Sequence, residues 1–191
     1  AVQGLTGNWL LDPTDITIVN GAEGTASFTG GIFDNGGGSV SSLTSGTLNY
    51  QLGFTDVTVQ TTSVSGGGAG DITFDSSGGA ILLQRTAGTG TVTFAADRDI
   101  VFTGANGTTF KAWDPFQTAA APNGVTSRGS TQGVELNVAF NTPNGLVKTL
   151  SGGKVTLDGG ANGKVKAIVD AGKVWENFGA LDIKGNAQLN L

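Results

Sequence analysis

The sequence predicts an all-β solenoid, a parallel β-helix, from three observations: a composition suited to short strands and tight turns, a strand motif that occurs four times, and glycine-rich breaks at frequent but uneven intervals. The 33 glycines stand beside frequent Val, Ile, Thr and Phe, while only 13% of residues are charged. β-Branched and aromatic side chains fit a pleated, half-buried surface, and glycine supplies the corners between strands. Hydrophobic residues make up 38% of the chain and glycine follows no three-residue period, which argues against both a disordered chain and a collagen. A length of 191 residues allows one large β domain or two small ones.

The motif begins as Asp15-Ile16-Thr17-Ile18 and returns as Asp56-Val57-Thr58-Val59, Asp71-Ile72-Thr73-Phe74 and Asp99-Ile100-Val101-Phe102. Two apolar side chains two residues apart point to one face of an extended strand, with the residue between them on the other. Segments 15–18 and 71–74 are therefore expected to bury one strand face. Asp15, Asp56, Asp71 and Asp99 are read as structural turn residues, because a short carboxylate accepts a nearby backbone N–H at a corner.

Further strands are expected over 26–33, 46–53, 80–84, 90–95, 134–140, 154–158, 163–169, 172–176, 180–184 and 187–191, and no helical stripe with normal caps stands out. Glycine runs at 36–38, 66–68, 78–79, 152–153 and 159–160 punctuate the series. A solenoid accommodates one motif at variable spacing, because its coils stack while the corners change length. Asn106-Gly107 and Asn162-Gly163 could also turn hairpins, which keeps a sandwich open as an alternative. Segment 111–133, with Pro115 and Pro122, breaks the pattern and is read as an irregular loop or junction between strands 1–110 and further coils over 134–191.

Cys, His and Met are absent. Disulfide frameworks, Cys/His zinc sites and Cys-His or Ser-His catalysis are thereby excluded, and no cofactor is expected. No apolar run reaches the length of a membrane-spanning helix. The net charge of −5 is unevenly spread: residues 1–84 hold seven acidic residues and no Lys or Arg, whereas 85–191 hold ten basic and eight acidic ones. Lys154, Lys164, Lys166 and Lys173 are interspersed with Asp and Gly and read as a solvated strand face, so no nucleic-acid partner is expected.

Chemistry-bearing patterns are sparse. Asp97 and Asp99 would share a face of an extended strand and are the obvious pair for cleaving a glycosidic bond, but Asp97 falls in the preceding turn and Arg98 offers a local ion pair. The Gly/Asp stretches lack the spacing of an EF-hand or a calcium-binding β-roll, so no metal site is assigned; the acidic first part leaves room only for weak cation binding. Gly152-Gly153-Lys154-Val155 runs into a strand and does not open a helix, unlike a phosphate loop. Trp113 and Phe116 beside Pro115, with Tyr50 and Trp175 as separate positions, are candidate binding aromatics, against the plainer reading that each plugs a core end. Trp9 is read as a core or cap residue.

Gly7-Asn8-Trp9-Leu10-Leu11-Asp12-Pro13-Thr14-Asp15-Ile16-Thr17-Ile18 resembles a strand-entry segment of the large exoproteins exported by two-partner secretion, the filamentous-haemagglutinin-like adhesins. Leu43-Thr44-Ser45-Gly46-Thr47, Val57-Thr58-Val59-Gln60-Thr61, Gly70-Asp71-Ile72-Thr73-Phe74 and the stretch from Val92 to Ile100 are similar to later blocks of that family in order and character. The resemblance spans residues 7 to about 112 and implies a right-handed parallel β-helix. It further implies secretion to the bacterial cell surface through an outer-membrane transporter, and attachment to a host-cell or surface glycan or protein receptor. Asn141-Thr142-Pro143-Asn144-Gly145 matches the family's Asn-Pro-Asn export motif only in part and falls late, so the chain resembles an internal passenger segment, a shaft with no catalytic residue. The alternative is a carbohydrate-binding module or a β-helical polysaccharide-processing enzyme.

Overall fold

In the computed structural model, residues 9–11, 14–22, 28–29, 32–33, 40–61, 69–86, 88–112 and 134–191 are described. In chain order the elements are β1 (Trp9–Leu11), β2 (Asp15–Val19), β3 (Phe28–Thr29), β4 (Ile32–Phe33), β5 (Val40–Thr44), α1 (Ser45–Leu52), β6 (Val57–Gln60), β7 (Ile72–Asp75) and β8 (Ile81–Arg85). They continue as β9 (Thr89–Ala95), β10 (Ile100–Thr103), β11 (Thr108–Ala112), β12 (Glu135–Asn141), β13 (Val147–Thr149), β14 (Lys154–Asp158), β15 (Lys164–Val169), β16 (Trp175–Asn177), β17 (Ala180–Lys184) and β18 (Ala187–Asn190).

Successive strands enter three different sheets in rotation, which makes the fold a parallel β-helix. One sheet runs β18-β15-β12-β9-β6-β1-β4-β3, the second β16-β13-β10-β7-β2-β5 and the third β17-β14-β11-β8. Every described ladder is parallel except the short β3–β4 pair, into which the expected strand 26–33 divides. Asn106-Gly107 joins β10 to β11 and Asn162-Gly163 joins β14 to β15, strands of different sheets, so neither turn makes a hairpin and the sandwich is ruled out.

The inner face is built from columns of like residues. In the second sheet Ile16, Ile72, Ile100, Val147 and Trp175 stand in register, as do Ile18, Phe74 and Phe102. Val57, Val92, Val138, Ala167 and Leu189 form the equivalent column of the first sheet. Ile16, Ile18, Ile72 and Phe74 are all at most 1% exposed, as the alternation of segments 15–18 and 71–74 requires. Phe74, Phe94, Phe102, Phe110 and Phe140 fill the centre, with Phe74 stacked on Phe102 at 4.6 Å and edge-on to Phe94 at 4.9 Å. Such ring pairs add about 1 kcal/mol each beyond their burial.

The coils do not all stack in sequence order. β1 pairs with β4 on one side and β6 on the other, and β2 lies between β5 and β7, so the coil β1–β2 is inserted between two later ones. In the third sheet no described strand lies beyond β8. There α1 packs against β8 instead.

Segment 46–53 is thus a helix and not the expected strand. Leu48, Tyr50 and Leu52 alternate as a strand would, but Leu48 and Leu52 also lie one helical turn apart, and the two periods cannot be told apart from these residues. Thr44 decides the start, since its hydroxyl accepts the Thr47 N–H at 3.3 Å as an N-cap. Leu48 and Leu52 are fully buried whereas Tyr50 faces out, the helical outcome. Arg85 is buried on β8 and donates to the carbonyls of Leu52 and Thr89, holding the C-terminal end of α1, where a cation is favoured.

The strands after the junction continue the same stack: β12 pairs with β9, β13 with β10 and β14 with β11. Lys111 and Ala112 belong to β11, and 113–133 lies outside the described residues. The expected strand 172–176 begins later, at Trp175, because Asp170, Gly172 and Lys173 form a turn closed by the Lys173 N–H to the Asp170 carbonyl at 2.9 Å. Among the described residues no helix is long and apolar enough to cross a membrane.

Candidate functional site

The four Asp residues that open the repeated motif perform one task. Each carboxylate accepts the backbone N–H of the residue beside it on the next coil. Asp15 Oδ1 accepts from Asp71 at 2.9 Å and also from Gly70 and Ala69 at 2.9 and 3.1 Å. Asp71 Oδ1 accepts from Asp99 at 3.1 Å, Asp99 Oδ1 from Leu146 at 2.9 Å, and Asp56 Oδ1 from Thr91 at 2.8 Å. The turn reading had the acceptor role, but the donors lie 28 to 56 residues away and belong to the neighbouring coil. Hydrogen bonds to a charged group contribute about 1.5–3 kcal/mol when shielded from water, so Asp15, Asp71 and Asp99 tie coil to coil along one corner, and Asp56 does the same at the entry to the first sheet.

Cations collect on the same column. Arg98 Nε donates to Asp71 Oδ1 at 2.8 Å, and its Nη2 bonds Asp71 Oδ2. Lys148 Nζ lies 2.8 Å from Asp99 Oδ2. Burial pushes the Asp99 carboxyl up, but hydrogen bonds from Lys148 and the Leu146 N–H, with the charges of Lys148 and Arg98, hold it below its ordinary value overall. Asp75, at the end of β7, is also held below its ordinary value by hydrogen bonds from the Ser77 hydroxyl and N–H.

Asp97 and Asp99 do not form a matched acid/base pair. Asp97 sits in the turn and accepts from the Asn144 amide at 3.0 Å, while Asp99 is committed to Leu146 and Lys148. A general acid needs its proton near neutral pH, and a carboxyl depressed as Asp99 is does not keep one. Among the described residues no group of three or more Asp or Glu is placed to hold a metal ion.

The two described candidate aromatics, Tyr50 and Trp175, lie on different elements. Trp175 is a correction: it is 7% exposed, its ring is stacked on Phe102 at 5.6 Å, and its Nε1 donates to Thr149 Oγ1 at 2.9 Å, so it closes the core and offers no platform. Tyr50 is 40% exposed on α1, with its ring 5.0 Å from that of exposed Phe54. Trp113 and Phe116 lie outside the described residues, and Trp9 is described only as part of β1, in register with Val57.

A second feature had no counterpart in the sequence reading. A cleft of about 470 Å³ opens where the third sheet turns into the first, lined by Glu135, Lys164, Lys166, Asn186 and Gln188 with the backbone of Gly185. A hollow of about 140 Å³ continues it past Glu135 and Lys164 to Thr89 and Asn162. Register explains the gathering: Thr89, Glu135 and Lys164 are neighbours across three strands, and Asn137, Lys166 and Gln188 form the next outward column. The Lys-x-Lys alternation of β15 was the available signal, since it puts two cations on one strand face.

No family model, no curated protein and no solved structure matches the chain.

Proposed function

We propose that the chain is a structural shaft segment of a secreted bacterial surface adhesin, a non-enzymatic spacer that reaches the surface through an outer-membrane transporter and carries attachment sites away from the cell. The observation that carries this reading is the Asp column: the motif carboxylates that an enzyme would use for chemistry are spent on holding one coil to the next. The in-register inner columns support it as well, because they give length and stiffness while leaving the corners free to vary. The ordered resemblance of residues 7 to about 112 to two-partner-secretion exoproteins supplies the cellular setting.

The test compares three cell populations displaying the parent exoprotein: intact, lacking this segment, and with the segment replaced by an unrelated β-helix having the same number of coils. A shaft requires that replacement restore attachment and that deletion shorten the surface projection. Attachment lost on replacement but kept by the intact protein would make the segment an adhesive tip. Hydrolysis or elimination on a broad glycan panel, abolished by Asp97→Asn or Asp99→Asn, would make it an enzyme.

A further inference from the structure

We infer that the cleft between β12, β15 and β18 is a binding subsite for an acidic saccharide, a short run of uronic acid units lying along the solenoid axis. The inference rests on the fold and the cleft and is independent of the shaft reading.

The dimensions fit such a ligand. The main cleft falls within the range of about 300–1,000 Å³ typical of small-molecule sites. With its smaller extension it crosses from β9 to β18. Three steps of about 4.8 Å between strands give roughly 14 Å, and each step is close to the length of one pyranose unit. A chain of three sugars can therefore set one ring against each strand spacing.

The polar groups select charge and hydroxyls together. Lys166 has the uncharged Asn137 and Gln188 as its direct register neighbours, with Glu135 one diagonal step away in the same cleft, so its cation is not directly opposed and a ligand carboxylate can meet it. Lys164 stands next to Glu135, an arrangement that offers a donor and an acceptor to sugar hydroxyls in place of a second strong anion site. Gln188, Asn162 and Thr89 add neutral groups around the opening. Among the described residues the lining contains no aromatic ring, so recognition there runs through charge and hydrogen bonds.

One end of the cleft is prebuilt. The Asn186 N–H donates to the Gly160 carbonyl at 3.2 Å and its side-chain amide to the Ala161 carbonyl at 3.0 Å, fixing this corner on the coil before it. Gly185 adopts φ +56° with the Gly160 carbonyl oxygen 2.4 Å from where a Cβ would sit, so no side chain intrudes there. A fixed corner beneath two long cations lowers the ordering cost of binding.

Isothermal titration of the full chain at low salt with trigalacturonate tests this, with neutral galactotriose and inorganic phosphate as comparison probes. The expected result is saturable binding of trigalacturonate, no detectable binding of galactotriose, a drop of tenfold or more in affinity for Lys166→Gln, and complete loss for the Lys164→Gln/Lys166→Gln double variant. Lys154→Gln, which removes a cation paired with Asp182 on the third sheet, should leave affinity unchanged and so separates the site from general electrostatic attraction. Circular dichroism of each variant confirms the fold. Absence of binding, binding that survives the double variant, equal loss with Lys154→Gln, or phosphate binding as tightly as the saccharide would each overturn the inference.

Discussion

The side chain of Asn49 finishes the strand of Gln84: its Oδ1 accepts the Gln84 N–H at 2.8 Å, and its Nδ2 donates to the Leu82 carbonyl at 2.8 Å. One amide on a helix thus takes the place that the backbone of a neighbouring strand would occupy beside β8. An unpaired strand edge invites pairing with another chain, and α1 closes this one. Asn49→Ala should leave a donor and an acceptor of β8 without partners, at about 1–3 kcal/mol for each buried group. Asn49→Asp keeps the acceptor but sets a carboxylate against the Leu82 carbonyl, so it should not rescue. Urea denaturation compares the three proteins, and an Asn49→Ala protein as stable as the parent would dismiss the edge-closing role.

The Asp column makes stability depend on acid. Asp99 titrates below its unfolded value of about 3.9, so the stability it contributes is complete above that value and is lost as pH falls through the lower folded value. Asp99→Asn should cost on the order of 1 kcal/mol at neutral pH, since its partners Lys148 and Arg98 are partly exposed. The same variant should lose less stability than the parent as pH falls below about 4. Thermal melts across that range, parallel for the two proteins, would show that Asp99 carries no such linkage.

Phe102 touches Phe74, Phe110, Phe140 and Trp175 and is 1% exposed. Truncation to Ala should cost about 3–5 kcal/mol, because the packed rings around it cannot collapse into the space. Phe178 is 70% exposed, and Phe178→Ala should change stability by no more than about 0.5 kcal/mol. Equal effects on the denaturation midpoint would contradict the assignment of the core.

Gly104 follows β10 with φ +90°, and a Cβ there would stand 2.4 Å from the Ser77 backbone nitrogen. Gly104→Ala combines left-handed strain with a backbone clash and should cost about 1–3 kcal/mol or more. Gly78 has no heavy atom within 4 Å of its virtual Cβ, and Gly78→Ala should be close to neutral. Differential scanning calorimetry separates the two, and a tolerated Gly104→Ala would show that the corner can move.

Local alternation carried most of the architecture. Three of the four Asp-headed segments stack directly, Ile16 on Ile72 on Ile100, because a two-residue period in a solenoid has one register that buries it. The fourth, Val57 to Val59, has the same pattern but enters another sheet, which only coil length determines. The partner of each Asp was hidden because the donor lies on another coil. The cleft was hidden for the same reason: Glu135, Lys164 and Gln188 are scattered in sequence and meet only through parallel pairing. Segment 46–53 is helical where alternation predicts a strand, because Leu48 and Leu52 satisfy both periods and the deciding condition, a third sheet with no described strand beyond β8, is tertiary.

The inserted coil β1–β2 bears on the order in which the molecule can form. From β9 onward each strand pairs with one roughly a coil earlier, so structure there can grow by short loop closures, as in other stacked arrays. Among the described residues β1 and β2 have no such earlier neighbour. Their partners, β4, β5, β6 and β7, all come later in the chain, and the last of them starts at Ile72. β2 is paired on one edge by β5 and gains its second partner only at β7, more than fifty residues past Val19, so this coil is completed late and the assembly closes around it.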